Sequence, residues 1–249
     1  QVVIMTDSKS KPRYEKITSS DGSSLETLES HLLGRLVEIV NTEVSRGVIT
    51  NKSQAIDWVK GTFFFARVRK NMHDKSEEQQ DAYLRHKCLG SLEELHRAGI
   101  IELQEDGLGI KPLAGCHVMS KHMVAFDDMK AIIDLPHDAG PLQLLQMLSK
   151  VEGLHRPVRR DEKKQLKEAN NKDIKYQLEG APSKISIQTP SQKAFVLLQC
   201  AIGQVFLENS TLRQEMSHMV DQASRIIAAC EVFSIDGSRH GQVALQSLL

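Results

Sequence analysis

The chain has 249 residues, 40% of them hydrophobic and 26% charged, with 32 Lys plus Arg against 32 Asp plus Glu. That is enough for one large domain or two small ones around a real core. A net charge of zero argues against a free-standing electrostatic nucleic-acid binder, so any such contact must be local and helped by other domains. No apolar run is long enough to span a bilayer and no leader-like segment opens the chain, so neither a membrane nor a secreted role is expected.

The chain opens Gln1-Val2-Val3-Ile4-Met5-Thr6 and closes on Val243 to Leu249, which reads as a helix stopped in mid-pattern. Both ends read as cuts in a longer protein. Residues 1–6 suit a buried strand and residues 7–24 a polar linker. Ser23 and Glu26 form a capping box. Leu25, Leu28, Leu32, Leu36, Val40 and Val44 then recur at helical spacing up to Gly47. Residues 50–53 offer a second cap, and Ile56, Val59, Phe63 and Ala66 make one face of the next helix. The stretch Met72–Gln80 is charged. A third helix is predicted from about Asp81 to Ala98, with Leu84, Cys88, Leu92 and Leu95 on one side and Gly99 as its stop. Residues 100–103 and 110–113 read as a hairpin around a Gly-rich turn. Three helices followed by a short hairpin is the order of a winged-helix domain, a helical core closed by a two-stranded wing.

The remainder reads as helical. Asp127 caps a short helix ending before Pro136, and Pro141 opens one carrying Leu142, Leu145 and Leu148. A basic run follows from Arg156 to Lys167, then an irregular stretch over 174–187. Thr189-Pro190 opens an apolar helix through Phe206. Thr211 and Gln214 cap a long amphipathic helix to about Phe233, with Leu212, Met216, Met219, Val220, Ala223, Ile227 and Cys230 as its core face.

Catalytic patterns are missing from the sequence. No GxxxxGK[ST] loop, GxSxG elbow or HExxH helix occurs. Gly107-Leu108-Gly109 lacks a third glycine and reads as a turn. Cys88, Cys116, Cys200 and Cys230 form no CxxC pair and read as buried apolar residues. None of the ten histidines has a visible partner, and no metal site is expected. The basic run offers guanidinium and ammonium groups that meet phosphates, and the long helix near 211–233 raises the same question with Arg213, Ser217, His218, Gln222 and Arg225 away from its core face. Composition alone favours the plainer alternative of a solvated helix face with Asp161 and Glu162 as local partners.

Glu29-Ser30 before an apolar helix, Gly47-Val48-Ile49-Thr50-Asn51, Ala55–Lys60, Phe63-Phe64 and Ala66–Asn71 resemble the winged helix of the Ski-type superfamily two helicases. Met72-His73-Asp74 departs from the Pro and Tyr residues that follow this Asn in many members. Val2–Thr6 is similar to the last strand of a second RecA-like motor domain. Met119–His122 and Phe126–Lys130 resemble the passage into the helical ratchet domain. Leu144–Ser149, Arg159–Lys164, Asn170-Asn171 and Gln192–Gln204 are most similar to the meiotic crossover DNA helicases.

The resemblance implies a mainly α fold: the end of a motor domain and linker over 1–22, a winged helix over 23–115, and a helical ratchet-type bundle over 116–249. It implies an accessory part of an ATP-dependent 3′–5′ DNA helicase acting in the nucleus during meiotic recombination. ATP and Mg would bind in motor domains outside this sequence, so this chain by itself should hydrolyse no ATP. Expected partners are single-stranded or branched DNA, the RecA-like motor domains and recombination proteins. The expected contact residues are Arg156, Arg159, Arg160, Lys163, Lys164, Arg213 and Arg225. Two alternatives stay open: a protein-interaction scaffold without nucleic-acid contact, and an accessory region of an RNA-directed relative.

Overall fold

A computed structural model describes residues 3–18, 28–104, 109–136, 138–178 and 187–236. Eleven α-helices and one two-stranded sheet are formed among them, a mainly α fold as expected. The capping box at Ser23 and Glu26, most of the hairpin turn and residues 237–249 lie outside the described residues.

The N-terminal stretch differs from expectation. Residues 3–7 form no strand, and Val3, Ile4 and Met5 are exposed. A lone extended segment has no ladder partner among the described residues to hold it as a strand. The linker expected over 7–24 contains a short helix, α1 (Lys11–Thr18), with no buried residue.

The next helix starts later than its leucine spacing suggests. A 3-10 turn over Leu32–Arg35 precedes α2 (Leu36–Ser45), and Leu28 is exposed. Leu36, Val40 and Val44 are buried as expected. Gly47 ends α2 at φ +76, a left-handed position that glycine takes without a Cβ penalty. There Val48 N–H donates to the Glu43 carbonyl at 2.9 Å.

Asn51 caps α3 (Lys52–Lys60), its side chain accepting from Gln54 N–H at 2.9 Å. The single helix expected to run through Ala66 is broken at Gly61-Thr62, and α4 (Phe63–Asn71) starts afresh. Thr62 is extended, and its hydroxyl donates to the Val59 carbonyl at 2.6 Å, so the side chain competes with helix continuation. The break resets the phase: Phe64 and Val68 are buried, whereas Phe63 and Ala66 face solvent.

Ser76 and Gln79 form a reciprocal cap on α5 (Glu77–Arg97), which buries Leu84, Cys88, Leu92 and Leu95. Gly99 closes it at φ +67. Strands β1 (Ile101–Leu103) and β2 (Ile110–Pro112) pair antiparallel, with Ile101 opposite Pro112 and Leu103 opposite Ile110. The Ile110 N–H donates to the Thr50 carbonyl at 2.9 Å, tying the hairpin to the α2–α3 connection.

The chain continues through α6 (Ala114–Lys121), α7 (Phe126–Ile133), α8 (Pro141–Lys150), a 3-10 turn over Glu152–Leu154, α9 (Lys163–Lys172), α10 (Pro190–Ile202) and α11 (Ser210–Asp236). Helix α6 packs on both α2 and α11, while α10 packs on α8, α9 and α11. The core is therefore continuous from the hairpin to the last helix.

Several local expectations shift here. Ala125, not Asp127, is the N-cap of α7. Asp127 and Asp128 sit in its first turn, where carboxylates favour the helix dipole. Pro141 does open α8, but Leu142 is exposed while Leu144, Leu145, Met147 and Leu148 are buried. Helix α10 stops at Ile202, so Phe206 lies beyond it. Asn209, rather than Thr211, caps α11, accepting from the Thr211 and Leu212 N–H groups at 2.9 and 3.2 Å. On α11 Val220 is exposed, and Ile226 rather than Ile227 is fully buried.

Candidate nucleic-acid interface

The chemistry of the second half centres on one buried cation. Lys193 lies in α10 among Ala194, Phe195 and Val196, and its side chain has no exposed surface. Its ammonium donates to Glu162 Oε2 at 2.6 Å and to the Pro157 carbonyl at 3.0 Å. It also stands 2.5 Å from Glu215 Oε2 of α11. That second carboxylate contact is an ion pair off the hydrogen-bonding line, since the oxygen makes no hydrogen bond. Arg159 closes the cluster, 3.1 Å from Glu162 Oε1 and 3.3 Å from Glu215 Oε1. Two cations thus meet two carboxylates with no net charge, the arrangement that makes burial tolerable. The cluster pins the turn over 157–162 between α10 and α11.

This cluster divides the expected contact residues. Arg159 is committed to Glu162 and Glu215. Arg156 donates from Nη1 to the His155 and Gly153 carbonyls at 2.7 and 3.2 Å, and its Nη2 lies 3.0 Å from His218 Nδ1 on α11. Arg213 donates to the Leu207 and Glu208 carbonyls at 2.5 and 2.8 Å. Arg225 donates to the His122 and Met123 carbonyls, joining α11 to the end of α6. Arg160, Lys163 and Lys164 differ from these four: they are exposed and make neither an ion pair nor a side-chain hydrogen bond among the described residues, although the Lys164 charge helps to hold the Glu168 carboxyl low. The pattern is set by the turn of the backbone into α9, which points Glu162 and Leu166 inward and leaves these cations outside.

The acidic neighbours of this patch are Asp161 and Glu168. Lys172 holds the Glu168 carboxyl below its ordinary range through a hydrogen bond of 2.9 Å. Near Arg225, burial pushes the Asp128 carboxyl above its usual range, and the adjacent Asp127 adds to the effect.

Other groups offer binding or packing rather than catalysis. A cleft of about 240 Å³ lies against α4 and α5. Arg67, buried, reaches across it to Glu29 and also donates to Asn71 Oδ1 of its own helix at 2.9 Å; the hydrogen bonds that Glu29 accepts from Arg67 and, at 3.1 Å, from Asn71 Nδ2 hold its carboxyl low. Ser45 Oγ lies 3.0 Å from His117 Nδ1 at the surface, but no carboxylate bonds that imidazole among the described residues. All four cysteines are buried and free, and burial raises the Cys116 and Cys230 thiols to about 12. They are neutral packing groups, as expected. No cluster of three or more metal-ligating side chains occurs among the described residues.

The Lys193 cluster was not anticipated from sequence. A lysine at the head of the apolar run Ala194–Leu198, on the side of the helix that the run buries, is the signal that could have found it, because an unpaired buried ammonium is prohibitively costly. Its partners, 31 and 22 residues away, leave no local pattern. The Glu29–Arg67–Asn71 contact was likewise unforeseen, although each residue stands in a motif already noted.

Residues 112–249 match the family model described as the Sec63 Brl domain. Among curated relatives, the ATP-dependent DNA helicase MER3 homolog of Oryza sativa subsp. japonica is 29% identical over 90% of this chain and 19% of its own length. The probable ATP-dependent DNA helicase HFM1 of Xenopus tropicalis is 27% identical over 93% of this chain and 17% of its own. The human activating signal cointegrator 1 complex subunit 3 is 30% identical over 81% of this chain and 9% of its own. The chain thus spans about a fifth or less of the length of these relatives.

Proposed function

This chain belongs to the Sec63 Brl domain family, and from that premise we propose that it is the accessory region of an ATP-dependent DNA helicase, placed behind the motor and contacting the translocating strand. The observation that carries this reading is the match along nine-tenths of the chain to proteins named as ATP-dependent DNA helicases. In this reading residues 23–115 act as a winged helix bracing RecA-like motor domains, and residues 116–249 act as a ratchet-type bundle. The helix order and hairpin support the first part, and the long α11 supports the second. ATP and Mg act in the motor, outside this chain. Meiotic recombination, a nuclear setting and recombination-protein partners belong to the same proposal, supported by the relatives' names.

Arg160, Lys163 and Lys164 supply the phosphate contacts, because their charges are not consumed inside the fold. Arg156, Arg159, Arg213 and Arg225 hold the surface that presents them. The direct test is ATP-driven strand displacement by the intact parent. Reversing the three free cations to Glu should slow DNA unwinding several-fold. Unwinding at the wild-type rate, or ATP hydrolysis by this chain alone, would contradict the reading.

A second reading is favoured by the zero net charge and by relatives named as a complex subunit: a scaffold for protein partners. It predicts protein cross-links, and none to nucleic acid, over residues 156–167 and 211–225.

A further inference from the structure

The turn between α10 and α11 is built to hold an aromatic ring in water. Helix α10 ends with Gln204 at φ +52, a left-handed position that a residue with a Cβ occupies at some cost. The Val205 N–H donates back to the Cys200 carbonyl at 2.8 Å and fixes the exit direction. Val205 is half-buried and Leu207 fully buried, so the residue between them is thrown outward. Phe206 is 77% exposed. Its ring is not loose: the Arg213 guanidinium carbon stands 5.4 Å from the ring centroid. Arg213 is itself fixed by the Leu207 and Glu208 carbonyls. A guanidinium on one side of a largely exposed ring leaves the other side open to a flat partner.

The same turn touches the free basic patch. Asn209 N–H donates to Gln165 Oε1 at 3.2 Å, and Asn209 Nδ2 lies 3.4 Å from Asp161 Oδ2. Arg160 precedes Asp161 in the chain, and Lys163 and Lys164 open the helix that carries Gln165, so the turn that carries Phe206 abuts the segment that carries these three exposed cations. Resting on the helicase reading above, we propose that Phe206 is a stacking platform for one unpaired base of a single-stranded nucleic acid, with Arg160, Lys163 and Lys164 meeting the adjoining phosphates. A π-face tolerates any base, and cations beside it track the backbone, which is the combination that single-strand binding uses. The charge beside the ring favours a polyanion over an apolar segment of a protein.

The test uses the full-length parent and labelled oligo-dT, with a set of strands each carrying one abasic position. Because Phe206 is exposed, F206A should leave the melting temperature unchanged. It should weaken binding about fivefold or more, the ordinary cost of losing one stacked base, while F206W retains binding. One abasic position should cost the wild type the same factor and cost F206A nothing further. The salt dependence should not move with F206A, and it should flatten when the three cations are reversed. Wild-type binding by F206A, with weakening by charge reversal, would overturn the platform and leave the helicase reading standing. Equal losses for F206A on every abasic strand and on the intact one would overturn it as well. Indifference to both sets of substitutions would remove the helicase reading too.

Discussion

In the region of α2 to α5, the ion pairs keep at least one partner open to water: Arg69 meets Glu77 at 2.7 Å with 41% and 79% of their side chains exposed, and buried Arg67 meets a half-exposed Glu29. In the region of α8 to α11, Lys193 meets Glu162 at 2.6 Å with neither exposed at all. The first region is held chiefly by periodic apolar side chains. The second hangs a surface turn on a buried charge. Neighbours in that turn can consequently have opposite roles. Arg159 is bound to Glu162 and Glu215, and Arg160 is exposed with no ion pair among the described residues.

The comparison can be broken most directly at Lys193. K193M leaves Glu162 and Glu215 with only the half-exposed Arg159 to balance two carboxylates and should cost about 3–5 kcal/mol, read as a drop in the urea midpoint. Replacing Lys193 together with both carboxylates by apolar residues of similar volume should recover much of that loss. A small effect of K193M alone would mean that water reaches the cluster. In the first region, Leu92→Ala should cost about 2–5 kcal/mol through lost burial and a cavity, with no dependence on ionic strength. At the α5 stop, Gly99→Ala should cost about 1–2 kcal/mol because of its positive φ, seen as a lower melting temperature. Removing the exposed Arg69 charge should change stability least, within the scatter of unfolding data.

Much of the first region was legible in the sequence. Leu84, Cys88, Leu92 and Leu95 repeat at helical spacing, and Gly47 and Gly99 close helices for a local backbone reason. Phe63 and Ala66 were misplaced because one hydroxyl at Thr62 resets the helical phase. The basic run was visible as composition, but its division was not, since it depends on Glu215 and Lys193 folding back from far along the chain. Phe206 looked like the end of an apolar helix. Only the turn at Gln204 shows that it leaves the core.

Asp128 sharpens the same contrast more gently. Burial, then Asp127, raises its carboxyl pKa in the fold. A raised carboxyl favours the folded state below the unfolded pKa, and this contribution is lost as pH rises through the folded value. Asp128→Asn should therefore stabilise the protein near neutral pH and have no such effect in acid, as thermal melts at the two pH values would reveal.

The most direct measurement is the salt dependence of single-strand binding by the intact parent, wild type against the Arg160→Glu, Lys163→Glu and Lys164→Glu triple variant. If these three cations meet phosphates, the slope of log affinity on log salt should shrink by about 2 or more, near 0.7 for each cation removed. An unchanged slope, with affinity intact at every salt concentration, would contradict the account and leave this surface to a protein partner.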